Sequence, residues 1–396
     1  MAMIEQPVSF VNVRDHGVLG DGQTDDLPVL QKLADEHRCI HLPYGTYKLG
    51  GALRLSSGAR LHAHPYAKII LADGAGQEAS DFLLTNRNCF GPNGPESDQE
   101  DTDIEVAGGV WDGNSSGNQR CQDRAFKYSG VLMHFGHVRN LVLRDLAVRN
   151  SESYYIRLGW ARQFHVARIR LENTRTRPNQ DGVHVSGYCE DGLVEEIHAH
   201  GLATPNDDMV ALNADDAIWR AECHGAPCGP IRRIRVRHLR ADDCHSFVRL
   251  ASVDHPIEDI TLEDVVGGCR FCAINADALR YCRTPIFRND DPGREQGVGA
   301  MNRIKVSRFE VWKSAHFPAA LIRLESRMPD FQMENVRRVY SRDAAPGQPT
   351  LRVCFAPGQF SLKEPGQNPT QHTVNATQPF ETSVAEIERF HFVGSQ

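Results

Sequence analysis

Three aspartates stand where acid–base chemistry could be done. Asp181 lies in Asn179-Gln180-Asp181-Gly182-Val183-His184, and Asp207 and Asp208 precede Met209-Val210-Ala211-Leu212. Asp181 and Asp208 are 27 residues apart. On successive coils of stacked strands, about 4.8 Å apart, carboxylates at equivalent positions approach each other. Like charges that close raise at least one pKa. One aspartate then keeps its proton near neutral pH while another is ionised, which hydrolysis of a glycosidic bond requires. Each residue also has a plainer reading. Asp181, before a glycine, is a common turn residue whose side chain bonds nearby backbone N–H groups. Asp207 and Asp208 could cap a strand or bind calcium. The doublets Asp215-Asp216 and Asp242-Asp243 read as loop residues.

The elements that would position these carboxylates come from a repeat. Apolar or small residues recur at positions x, x+2, x+5 and x+7, with x at Ile104, Leu141, Phe164, Gly192, Ile234, Ile260 and Ile304. Inward positions alternate within a strand, and the step of three turns a corner, as a coil of a parallel β-solenoid requires. A β-sandwich of many short strands is the rival reading, but it does not account for one pattern recurring in one phase. The fold class predicted is all-β, a single-stranded right-handed parallel β-helix. It forms a single domain over residues 1–396, with an N-terminal cap at 10–40, core coils at 100–340 and a C-terminal cap or tail at 341–396. Phe10 to Asp15 alternates like a strand and is followed by glycines. Thr24, Asp25 and Asp26 offer N-caps to a helix with Val29, Leu30 and Leu33 on one side. Phe380 to Val393 reads as a possible final strand.

The chain has 396 residues, a net charge of -7 and 24% charged residues, an ordinary globular balance. Negative charge argues against a general nucleic-acid surface. The basic run Arg232 to Arg237 reads as the solvated face of a strand, because alternate residues point to opposite sides. No apolar run reaches the roughly 18 residues that span a bilayer. The N-terminus shows no basic start or apolar signal core, so the expected location is cytoplasmic, or secreted if a leader was removed. Eleven cysteines in a large chain read as free, mostly buried thiols. Zinc at Cys223, His224 and Cys228, or at Cys269 and Cys272, is the lesser reading, since the spacing is irregular. No metal and no other cofactor is expected, and the oligomeric state is not legible.

Two resemblances follow. The opening, Val13-Arg14-Asp15-His16-Gly17-Val18-Leu19-Gly20-Asp21-Gly22-Gln23-Thr24-Asp25-Asp26, resembles the start of the pectin lyase-like right-handed β-helix proteins. That motif is specific for the fold and weak for function, because hydrolases, lyases, epimerases and tailspikes share it. From Asn150 to Asp277 the chain is similar to glycoside hydrolase family 28, the polygalacturonases and relatives. Asn150-Ser151 matches the first motif. Asn179-Gln180-Asp181-Gly182 matches the second, with Gln for Thr. Asn206-Asp207-Asp208-Met209-Val210-Ala211 matches the third. Cys244-His245-Ser246 falls where Gly-His-Gly would stand, and Ala273-Ile274-Asn275 where Arg-Ile-Lys would.

The resemblance implies an inverting hydrolase. Asp207 would be the general acid, Asp181 and Asp208 would hold and activate water, and His245 would tune the acid. A histidine bonded within the wall is its alternative reading. Ala273 and Asn275 are neutral where the family places the cations that hold galacturonate. A neutral glycan, or a uronate-containing one held differently, therefore fits better than homogalacturonan. Asn179, Arg249, Asn275, Trp219 and Arg280 are the candidate substrate-binding residues, with Arg270 a further candidate cation. Tyr154, Tyr155, Trp160, Trp219 and Tyr281 could offer faces to sugar rings, though each also reads as wall or core. Long inserts at 86–103, 213–230 and 282–300 would wall one end of a groove. A lyase, epimerase or transferase on the same fold remains open, as does a glycan-binding tailspike-like protein. The absence of lysine between Lys127 and Lys305 counts against a lyase.

Overall fold

The period found in the sequence is the pairing register of the sheets. In the structure, a computed structural model, residues 9–89, 99–121, 127–216, 222–223, 225–253, 255–276, 299–353, 380–382 and 386–393 are described. Position x of each coil pairs in parallel with position x of the next: Ile104 with Leu141, then Phe164, Gly192, Ile234, Ile260, Ile304 and Phe331. Position x+7 does the same from Trp111 through Val148, Leu171, Ala199, Ala241, Gly267 and Val311. Apart from Gly192 and Gly267, the side chains at these positions point inward and belong to one apolar cluster that runs from Val13 to Ile387.

Corners between the strands use the left-handed region. The residue before x, at Asn140, Gln163, Asp191, Arg233, Asp259 and Arg303, has φ of 54–58°. The residue at x+4, at Asp145, Arg168, Glu196, His238, Asp264 and Arg308, has φ of 53–61°. One such residue bends the chain while the apolar residues around it stay on the inner face. Asn and Asp suit this conformation, since their short polar side chains bond locally.

Parallel pairing begins earlier than the repeat shows. Strands Cys39–Leu42, Thr46–Leu49 and Leu53–Leu55 pair with Arg60–Ala63, Lys68–Leu71 and Leu84–Asn86. Parallel pairing of the coils in fact reaches back to Val11–Asn12, which pairs with Cys39–Leu42, well before residue 100. Their later limit also moves, because Leu351–Val353 pairs in parallel with Ile322–Leu324. Glu386–Val393 lies antiparallel on Asp330–Arg338 and covers that edge.

At the N-terminal end, Val11–Asn12 is a strand, but Val13–His16 is a 3-10 turn rather than its continuation. Helix α1, Leu27–Glu36, buries Leu30, Leu33 and Ala34, while Val29 is exposed. At 100° per residue Val29 falls off the face that Leu30 and Leu33 share. Asp25 Oδ1 accepts from Leu27 N–H at 3.0 Å. Asp26 makes no cap bond; its carboxylate instead accepts from Leu19 and Gly20 N–H and closes the glycine loop. The arginines at 232, 233, 235 and 237 pair with Glu258, Asp191, Glu263 and Glu195 of adjacent coils. Among the described residues no helix is long and apolar enough to cross a membrane.

Candidate active site

One of the stacks is made of short strands, and it carries the site. Its members include Val183–Val185, Asp208–Asn213, the ends of Ile231–Ala251 and Pro256–Ala276, and Ile322–Leu324. Val183, Val210, Val248, Ile274 and Ile322 point into the core. Their neighbours alternate outward and form a row in register: His134, Arg157, His184, Ala211, Arg249, Asn275, Arg323 and Arg352. Alternation puts the whole row on one outer face.

The carboxylates stand where two of these strands begin. Val183 pairs with Val210, so two residues earlier Asp181 comes beside Asp208 on the next coil, and Asp208 pairs with Ser246. Gly182 N–H donates to Asp208 O at 2.9 Å, which ties the two turns together. The turn before Asp181 is held by Gln180, which is fully buried. Gln180 Nε2 donates to Ser151 O at 2.6 Å, and its Oε1 accepts from Arg177 N at 2.6 Å and Asn173 Nδ2 at 2.9 Å. The glutamine that replaces threonine is therefore the clamp that seats the aspartate.

Asp208 is buried, and burial pushes its carboxyl well above the usual range. The neighbouring charges of Asp207 and Asp181 add to this, while Arg249 and a hydrogen bond from Ser246 oppose it. Asp207 is more open, with its side chain 26% exposed, and its Oδ1 is 3.6 Å from His245 Nδ1. Asn179 Nδ2 donates to Asp207 Oδ2 at 3.5 Å. The His245 ring stacks on Phe271 with centroids 5.1 Å apart. Burial lowers its pKa; Asp207 pulls the other way, and Arg270, Lys313 and Arg249 add to the lowering. His245 thus stands beside the Asp207 carboxylate, and its Nδ1 also lies 3.2 Å from the Ser246 hydroxyl of the wall.

Asp181 Oδ2 lies 2.7 Å from His184 Nδ1. Burial, aided by the Arg157 guanidinium, pushes His184 down to about 3. A neutral imidazole then donates its Nδ1–H to the Asp181 carboxylate. The sequence reading missed His184 as a partner, although the Asp-Gly-Val-His spacing across a turn was its only signal. Phe271 was missed too, since it contacts His245 only through coil stacking.

Ala273 is fully buried and faces the core, so position 273 offers nothing to a ligand. Asn275 is buried on the outer row between Arg249 and Arg323, and its Oδ1 has no hydrogen-bond partner among the described residues. Arg270 donates to Asn206 Oδ1 at 3.3 Å, beside Asp207. It also lines a cavity of about 670 Å³ with Trp312, Arg342, Asp242 and Asp243. Tyr154 and Tyr155 are buried wall residues: Tyr154 stacks on His184, and Tyr155 OH donates to Glu172 O. Asp215 lies beyond the strand that ends at Asn213, as a loop residue should, but it is buried and accepts from His255 N–H at 2.7 Å. Asp242 and Asp243 are not loop residues, since both fall within the strand Ile231–Ala251. Trp219, Arg280, Tyr281, His224 and most of the three inserts lie outside the described residues. Asp207, Asp208 and His245 bring ligand atoms within 4.8 Å of one another, the one such group among the described residues. A small cation could be held there by two carboxylates and an imidazole. Cys189, Cys228, Cys244, Cys269 and Cys272 are buried.

No family model matches the chain. Over 190 residues it is 20% identical to a polygalacturonase of Prunus persica, covering 47% of this chain and 45% of that protein. Over 219 residues it is 24% identical to mannuronan C5-epimerase AlgE1 of Azotobacter vinelandii, covering 52% of this chain and 14% of that protein. The chain spans less than half the length of these curated relatives. Among solved structures it is similar to PfbA, a surface adhesin of Streptococcus pneumoniae, with a TM-score of 0.56 and 12% identity over 83% of this chain and 91% of that one. An iota-carrageenase complexed to iota-carrageenan fragments gives 0.54 and 12%, covering 83% and 76%. The tailspike of E. coli bacteriophage HK620 gives 0.57 and 15%, covering 83% and 62%.

These likenesses define the fold: the chain is a right-handed parallel β-helix, like each of those solved structures. An adhesin, a carrageenase and a tailspike share that fold, so the site must decide the function.

Proposed function

We propose that this protein is a glycoside hydrolase, inverting at the anomeric carbon, that acts on an oligosaccharide or polysaccharide. The observation that carries the reading is the carboxylate cluster, in which burial and like charge keep a proton on Asp208 beside Asp207 and Asp181. Groups so close titrate together, so the proton belongs to the cluster. Asp207, the more open member, presents it to the glycosidic oxygen. As the bond from that oxygen to the anomeric carbon breaks, a water attacks the carbon from the opposite face. The water's proton passes back to the cluster through Asp181 and Asp208, so the cluster ends with the proton count it began with. His184 holds Asp181 in place by its Nδ1–H. Neutral His245 sets the electrostatic environment of Asp207.

The outer row offers the sugar a neutral side chain at position 275, and Ala273 takes no part. Arg249 and Arg323 supply cations in the same row, on either side of Asn275. This supports a neutral glycan, or a uronate-bearing one held by those two arginines. The cavity at Arg270 and Trp312 adjoins the cluster through Asn206 and offers a place for a neighbouring sugar.

The test is incubation of the wild type and Asp207→Asn with neutral and uronate oligosaccharides, read by chromatography and by proton NMR of the fresh anomer. Hydrolysis with inversion by the wild type, reduced about 10²–10⁴-fold in kcat by the substitution, supports the reading. Unsaturated products would point to a lyase instead. No product from a broad panel would leave a glycan-binding protein.

A further inference from the structure

A second cavity, of about 330 Å³, lies away from the carboxylates at another corner of the coils. It is lined by His137, Trp160, Tyr188 and Pro230, with Glu100, Arg162, Glu190 and Arg232 around them. The four corner residues stand four positions before x on successive coils, and each follows a glycine: Gly136, Gly159, Gly187 and Gly229. Tyr188 is seven residues beyond Asp181. At about 3.3 Å per residue this corner is roughly 20 Å along the coil from that aspartate.

The residue types at this corner are not those a turn would choose. His137, Trp160 and Tyr188 have φ of 55°, 48° and 60°. Glycine or asparagine adopts that conformation readily, whereas a bulky side chain there is disfavoured. Three consecutive coils carry this strain to hold three rings. The rings contact one another, His137 and Trp160 with centroids 5.7 Å apart and Trp160 and Tyr188 5.3 Å apart. Tyr188 is nonetheless 43% exposed. Its seat is specified: a Cβ on Gly229 would meet the tyrosine ring at 2.4 Å. His137 Nδ1 is buried and has no hydrogen-bond partner among the described residues. The charged residues of the rim balance, two carboxylates against two guanidinium groups, and Glu100 is paired with Arg162 at 2.7 Å.

We infer that this corner is a second, non-catalytic glycan-binding site, which takes pyranose rings on Trp160 and Tyr188. Sugar C–H faces pack on aromatic rings. Hydroxyls find donors and acceptors on Glu190, Arg232 and His137. The balanced rim asks for no acidic group on the sugar. The site would anchor a long chain while the carboxylates act elsewhere on it, which raises local concentration without new contacts at the reacting bond. The inference is independent of whether the carboxylates hydrolyse anything.

The experiment is native gel electrophoresis through gels containing galactomannan, xyloglucan, polygalacturonate or alginate. It uses the full chain in the Asp207→Asn form, so that no polymer is cut. Retardation by at least one neutral polymer is expected. Trp160→Ala and Tyr188→Ala should each weaken it roughly tenfold, and Tyr188→Phe, which keeps the ring, should preserve it. If an alanine variant melts early, Trp160→Phe decides. The change in tryptophan fluorescence on adding galactomannan or xyloglucan oligosaccharides should be lost in that variant. Four outcomes would overturn the inference: no retardation by any polymer, retardation by the acidic polymers alone, full binding by both alanine variants, or a fluorescence change that survives Trp160→Phe. Binding that persists when no panel sugar is hydrolysed would sink the proposed hydrolase and leave this site standing.

Discussion

Asp208 is held at a cost that pH should reveal. Its folded-state pKa lies well above the 3.8 of a free aspartate, chiefly through burial. Between those two values the folded chain keeps a proton that the unfolded chain has lost. The folded state binds more protons there, so stability falls as pH rises through that window. Asp208→Asn removes this dependence. Its melting temperature should match the wild type near pH 3 and exceed it increasingly from about pH 4 upward, as thermal melts across pH would show. A wild type whose stability rises with pH over that range, relative to the variant, would contradict the burial argument. The same cluster makes a second claim. Proton transfer at Asp207 and Asp208 calls for no cation, so a chelator should leave the hydrolysis rate unchanged. Excess Zn²⁺ or Ca²⁺ should inhibit by displacing the Asp208 proton. Loss of activity in chelator would instead make Asp207, Asp208 and His245 a metal site.

At the scale of the coil, the corners decide how closely strands approach. Gly267 has φ of 147°, and a Cβ there would lie 1.9 Å from Ala241 O of the adjacent coil. No flexible side-chain end can move aside, because the obstacle is backbone. Gly267→Ala should destabilise the fold by about 2 kcal/mol or more, read from denaturant midpoints. By contrast, Arg233 pairs with Asp191 and Glu190 at the surface, with its side chain 46% exposed. Solvent screens such pairs, and Arg233→Ala should change stability by less than about 1 kcal/mol. The repeat was legible because these corners recur in one phase: two inward residues, a bend, two more. The turn at Val13–His16 was not, because four residues, one apolar and three polar, are too few for a period to separate a strand end from a tight helical turn.

For the whole molecule, the end of the stack is the exposed point. Asp330–Arg338 would present a row of unpaired backbone groups if Glu386–Val393 did not lie antiparallel on it. Ile387 seals this closure by joining the core cluster. Deletion of residues 380–396 should leave the coils folded but sticky. Light scattering should report self-association that the full chain does not show. A monodisperse truncated chain would mean that the edge is covered by other means.

The chain's own pattern determined the coil register and the inward residues, because period-two alternation and fixed corner spacing are local properties that survive without knowledge of the rest. The resemblance to glycoside hydrolase family 28, not the period, singled out His245, Asn179 and Asn275, with Arg249 a candidate for the cations that family carries. Only the tertiary structure decided which neighbour each side chain meets. Proximity across coils depends on stacking, not on sequence distance, so the bond from His184 to Asp181, the Phe271 ring under His245 and the Gln180 clamp came from three dimensions. The corner of His137, Trp160 and Tyr188 belongs to the same kind of knowledge: three glycine–aromatic pairs far apart in the chain become one surface when the coils stack.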